Sequence, residues 1–164
     1  MIKAVIFDMD GVIINSEPLH KKAFQKMFEE FNLKVSKKLY GSFTGMSTLP
    51  ICQRLCNEFS IKQSPNLLVE TKRKHFKNLF ENGYEFKLID GVLELIQHYK
   101  KNGISLVLAS SASMPNINMV FEKFNLNQYF KAKISGANLK ASKPHPEIFE
   151  KAAKLTGHSK KKCL

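Results

Sequence analysis

The chain has 164 residues, of which 43% are hydrophobic and 24% charged, and 26 Lys and Arg against 14 Asp and Glu give a formal charge of +12. That length suits one domain, or a core with a small insert, and the apolar content excludes a disordered chain. The charge raises nucleic acid or an acidic membrane surface as a partner, but the lysines are dispersed, and the runs Lys72-Arg73-Lys74 and Lys160-Lys161-Lys162 are too short for a basic arm.

Ala4-Val5-Ile6-Phe7 is a continuous apolar run that predicts a strand buried on both faces of a parallel sheet. It meets Asp8 too soon for a signal peptide or a membrane span, so a cytoplasmic protein is the expectation, with neither a membrane nor a nucleic acid as partner. Residues 18–31 predict a helix, with Pro18 in its first turn and Leu19, Ala23, Met27 and Phe31 along one stripe. A second helix follows Ser47 and carries Ile51, Leu55 and Phe59. A third follows Ser64-Pro65 and carries Leu68, His75, Phe76, Leu79 and Phe80. Three helices with no strand between them predict a helical insert over 16–83, leaving 1–15 and 84–164 as an α/β core.

Alternating strands and helices then resume. Asp90 is the expected N-cap of a helix bearing Val92, Leu95, Ile96 and Tyr99, closed by Gly103. Ile104–Ala109 is the second strand, Ser113-Met114-Pro115 opens a helix through Phe124, and Ala132–Ser135 is a short third strand. A last helix runs from Pro146 through Phe149, Ala152 and Ala153 to Gly157. No internal repeat stands out. Cys52, Cys56 and Cys163 make no disulfide framework, and Cys52 and Cys56, four apart on a helix, read as buried thiols.

Chemistry gathers at the ends of the strands, where open α/β sheets bind ligands. Asp8-Met9-Asp10-Gly11 puts two carboxylates at the end of the first strand, and such a pair favours a hard divalent cation. Ser110 and Ser111 follow the second strand and offer donors to an anionic oxygen, while Ser113 reads as a helix cap. Lys143, in Ser142-Lys143-Pro144-His145-Pro146, brings an ammonium to a loop before a helix. Each signal is weak alone; their order on successive strand ends is the argument.

Val5-Ile6-Phe7-Asp8-Met9-Asp10-Gly11-Val12-Ile13 resembles the first motif of the haloacid dehalogenase superfamily, and Ser16-Glu17-Pro18-Leu19-His20 extends the likeness to its beta-phosphoglucomutase-like branch. Leu106–Ser113 and Ala141–Pro146 resemble the second and third motifs. The resemblance implies a Rossmann-like three-layer core with a parallel sheet and an inserted helical cap that closes over the site. It implies a phosphatase of a small phosphorylated metabolite, with Asp8 as nucleophile, Asp10 as acid and then base, and Mg²⁺ held by the Asp8 side chain and the Asp10 carbonyl. Ser110 and Ser111 would bind the phosphoryl group and Lys143 would balance its charge. In the cap, His20, Thr48 and Lys74 match positions that reach the substrate. Thr48 stands where the mutase has an arginine for a second phosphate, which favours a phosphatase, with a mutase as the alternative. Asp10 favours phosphate chemistry over carbon–halogen cleavage, because a halide leaves without an acid.

The family's fourth motif, an acidic pair after a further strand, does not appear before Leu164. The expectation is therefore a fragment with the later strands missing, its first strand a bare edge, and weak Mg²⁺ binding with impaired activity. A non-catalytic remnant that binds a partner through that edge is a further alternative. The sequence leaves the oligomeric state open.

Overall fold

Continuous apolar runs do form the sheet. In a computed structural model describing residues 1–44, 46–82, 87–137, 139–141 and 143–164, strands β1 (Ala4–Phe7), β2 (Ser105–Ser110) and β3 (Ala132–Ser135) pair in parallel, in that order. Register runs from Ala4 opposite Ser105 to Phe7 opposite Leu108, and from Val107 opposite Ala132 to Ser110 opposite Ser135. Helices α1 (Glu17–Glu30), α2 (Lys37–Gly41), α3 (Thr48–Glu58) and α4 (Pro65–Glu81) precede β2, as does α5 (Val92–Lys101); α6 (Met114–Lys123) and α7 (Glu147–Thr156) flank β3. The chain divides into two compact units, Met1–Asn15 with Lys87–Leu164, and Ser16–Phe86. The expected second boundary, between 83 and 84, lies outside the described residues.

In the first unit the sheet is the middle layer. Val107 and Ala109 of β2 pack on Ile148 and Ala152 of α7, with Ile6 and Ile134 beside them. Alternate residues point the other way: Phe7 meets Tyr99 of α5 edge-on, and Phe121 of α6 meets Phe130. Burial of both faces explains why these strands read as unbroken apolar runs.

Four details differ from expectation. The first is β1, which is not a bare edge. Lys3 N–H donates to Lys162 O at 2.8 Å, Leu164 N–H to Ala4 O at 3.0 Å and Ile6 N–H to Leu164 O at 2.7 Å, so an extended segment pairs with groups an edge strand would otherwise leave open. The second is the N-cap of α5, which is Gly91 at φ 79°, with Asp90 one residue outside. The third is Phe149, which is 40% exposed while Ile148 takes the core position. The fourth is Ser113, which stands at the N-cap of α6 without a side-chain capping bond.

Among the described residues the second unit holds four helices rather than three. Ser36 starts the additional α2 by accepting from Leu39 N–H at 3.1 Å. Phe24, Met27 and Phe28 of α1 join Ile51, Cys52, Leu55 and Cys56 of α3 and Leu68 and Val69 of α4 in one apolar cluster. Helices α1, α3 and α6 end alike, in Phe31-Asn32-Leu33, Phe59-Ser60-Ile61 and Phe124-Asn125-Leu126. The middle residue is left-handed, at φ 53°, 50° and 52°. The residue after it donates back to Phe28, Cys56 and Phe121 carbonyls at 2.8–2.9 Å. These are Schellman caps, in which polar Asn or Ser takes the place of glycine.

Candidate active site

The site in the first unit is built on turns after β1 and β2. Met9 is buried, and its carbonyl accepts from Val12, Ile13 and Ile14 N–H at 3.3, 2.8 and 3.0 Å. Gly11, at φ 76°, lets the chain reverse around that carbonyl. Strand alternation sends Met9 inward, and Asp8 and Asp10 flank it half-buried on one turn.

Asp8 is tied from two directions. Its Oδ1 accepts from Met9 N–H at 2.8 Å and from Lys143 Nζ at 2.9 Å. Lys143 Nζ also donates to Ala109 O, the last carbonyl before Ser110, at 2.9 Å. Its ammonium stands 5.0 Å from the centre of the Phe149 ring. The lysine thus joins the ends of β1 and β2, and its charge-assisted bonds fix the Asp8 carboxylate. Glu147 fastens the loop that carries Lys143: one oxygen accepts from Ala141 N–H at 3.2 Å and the other from Lys151 at 2.7 Å. The Lys151 bond is the main cause that holds Glu147 below the usual carboxylate range.

Ser110 is buried, and its Oγ accepts from Ala112 N–H at 3.0 Å, which leaves the hydroxyl proton free to be donated. Ser111 follows it, half-buried, on the same turn. The structure therefore gathers Asp8, Asp10, Ser110, Ser111 and Lys143 on neighbouring strand ends. Ser142 lies outside the described residues.

Two carboxylates form an all-oxygen donor set that suits Mg²⁺, an ion that keeps several waters and takes one or two carboxylates. Among the described residues no group of three or more Asp, Glu, His or Cys gathers.

The remaining expected residues belong to the second unit. Thr48 is the first residue of α3, half-buried, and Lys74 is exposed on α4. His20 stacks on Phe76 with ring centres 4.7 Å apart, and its Nδ1 lies 2.7 Å from Lys72 Nζ. Sequence reading missed Lys72, which is 2% exposed and lies 5.0 and 5.1 Å from the Phe24 and Phe76 ring centres. Its signal was present: Leu68, Lys72 and Phe76 recur every four residues on the buried face of α4.

Comparison with known proteins identifies the family. The chain matches the haloacid dehalogenase-like hydrolase family over residues 5–164. It is 28% identical over 152 residues to a phosphorylated carbohydrates phosphatase of Thermotoga maritima, covering 90% of this chain and 68% of that protein. It is 26% identical over 167 residues to the 6-phosphogluconate phosphatase of Escherichia coli, covering 99% of this chain and 72% of that protein. The crystal structure of beta-phosphoglucomutase from Clostridium difficile superposes with a TM-score of 0.83 at 26% identity, covering 99% of this chain and 74% of that one. Among the described residues no helix is long and apolar enough to cross a membrane. The chain belongs to the haloacid dehalogenase-like hydrolase family.

Proposed function

We propose that this protein is a Mg²⁺-dependent phosphatase of a small phosphorylated metabolite, a sugar phosphate in class, working through an aspartyl-phosphate on Asp8. The observation that carries the reading is Asp8 Oδ1 held at 2.9 Å by a lysine that also grips the end of β2. Phosphoryl transfer depends mainly on positioning and on compensating charge, and these contacts supply both.

Asp8 attacks phosphorus, forming an acyl phosphate as the bond to the sugar oxygen breaks, and Asp10 gives that oxygen its proton. Asp10 then takes a proton from water as the water attacks the acyl phosphate, releasing inorganic phosphate and restoring Asp8. Ser110 and Ser111 donate to the phosphoryl oxygens, and Lys143 offsets their charge. Mg²⁺, held by the Asp8 side chain and the Asp10 carbonyl, would supply further positive charge to the same oxygens. One carboxylate and one carbonyl make a sparse ligand set, so its binding by these residues would be weak. His20, Thr48 and Lys74 are assigned to the substrate side on the family resemblance.

The likeness to beta-phosphoglucomutase supports a mutase as the second reading. Thr48 weighs against it, because a hydroxyl lacks the bidentate grip of an arginine on a second phosphate.

Phosphate release from a panel of sugar phosphates tests this, with Mg²⁺, with chelator, and with Asp8→Asn. Release that needs both Mg²⁺ and Asp8 is expected. Turnover surviving Asp8→Asn would overturn the nucleophile. Isomer formation with a bisphosphate activator would favour the mutase, and a folded chain silent on every substrate would favour the non-catalytic remnant.

A further inference from the structure

We infer that Ser135 is a positioning residue that sets the phosphate-binding turn at Ser110–Ala112, an inference resting on the phosphatase reading above. Three carbonyls of this segment are each taken by a different partner. Ala109 O accepts from Lys143 Nζ at 2.9 Å, Ser110 O from Gly136 N–H at 2.7 Å, and Ala112 O from Ser135 Oγ at 2.6 Å. The ladder between β2 and β3 ends at Ser110 opposite Ser135. Beyond that point a side chain has to span the gap, and Ser135 does so.

The Ser135 hydroxyl has one orientation in this network. Its oxygen accepts from Ala137 N–H at 3.2 Å, so its proton goes to Ala112 O. Ala112 is thereby held through both of its flanking peptides, because its N–H already donates to Ser110 Oγ at 3.0 Å. That bond occupies a lone pair of Ser110 Oγ and leaves its proton for another acceptor. Ser135 touches no reacting atom; it acts by fixing Ala112, whose N–H in turn fixes Ser110.

Gly136 makes the close approach possible. A Cβ there would lie 3.1 Å from Ile148 Cδ1 and 3.4 Å from both Ser110 O and Ser111 Cα. The third strand thus ends in a pair with separate tasks: Gly136 lets the strand end come near, and Ser135 uses the proximity. Ser135 to alanine would leave a part-buried carbonyl without its donor and the turn held at one end only.

Ser135→Ala and Ser135→Thr, made in the full chain, test this by competition with inorganic phosphate and by amide hydrogen exchange. In Ser135→Ala phosphate affinity and kcat should each fall about tenfold, the order expected for one lost bond of this kind. KM for the substrate should rise with them, while Ser135→Thr, which keeps the hydroxyl, stays near the parent. Exchange at Ala112 N–H should quicken in Ser135→Ala and not in Ser135→Thr. Unchanged phosphate affinity in a folded Ser135→Ala protein, or a threonine variant as impaired as the alanine one at equal melting temperature, would overturn the inference. Exchange needs no turnover, so it separates the two readings. Faster exchange at Ala112 in a chain that never binds phosphate would sink the phosphatase reading and leave the clamp standing; unaltered exchange would sink the clamp.

Discussion

At the ends of the strands, polar side chains are tied to the main chain. Lys143 bonds Ala109 O, Ser135 bonds Ala112 O, and Asp8 accepts from Met9 N–H. In the helical unit, the polar pair His20 and Lys72 is instead set among aromatic faces, with His20 stacked on Phe76 and Lys72 beside Phe24 and Phe76. A substitution should therefore be felt differently in the two regions. Main-chain anchoring confines the effect to the turn, because the strands beneath keep their own ladder. Aromatic anchoring makes the pair depend on the whole apolar cluster, so loosening one ring costs stability as well as geometry.

The largest expected effect follows from that contrast. Phe76 is 1% exposed, and Phe76→Ala should cost about 3–5 kcal/mol by urea denaturation, since it deletes a core ring and the platform of His20. A loss as small as that from a surface residue would break the comparison. Lys72→Ala should cost roughly 2 kcal/mol, the value of a cation held on rings away from water. A double-mutant cycle with His20→Ala sharpens this, and coupling near zero would show that the two residues are merely neighbours.

A smaller effect is expected in alkali. Burial, and then the neighbouring Cys56, push the Cys52 thiol from 9.0 up to about 12, and burial pushes Cys56 up as well. The folded state therefore holds these protons more tightly than the unfolded chain. Their stabilising contribution is complete below about pH 9 and is lost as pH rises toward 12. Cys52→Ala should flatten the alkaline limb of stability against pH. In the native protein a thiol reagent near pH 8 should modify the half-buried Cys163 and reach Cys52 and Cys56 only on unfolding.

The strands could be read closely from the sequence because two-sided burial leaves an unbroken apolar signature. The main helices could be read because one apolar stripe repeats along each. Helix α2 could not: five residues carry no periodicity, and Ser36 was its only sign. Phe149 could be placed on the last helix but not on a face of it: its ring lies against the Lys143 ammonium. The order of Asp8, Ser110 and Lys143 along the chain was informative because each follows a strand end. Ser135 and Lys72 were hidden for opposite reasons. A serine at a strand end looks like any turn residue until its partner across the sheet is known. A lysine in a basic run looks solvated until helical spacing places it between Leu68 and Phe76.

In the proposed reaction Asp8 accepts the phosphoryl group. The direct measurement is mass spectrometry of peptides from the chain quenched in acid during turnover of a sugar phosphate with Mg²⁺. One added phosphoryl group is expected on the peptide carrying Asp8, removed by hydroxylamine and lacking in Asp8→Asn. A phosphoryl group on another residue, or phosphate release with no covalent adduct at any time of quenching, would contradict it.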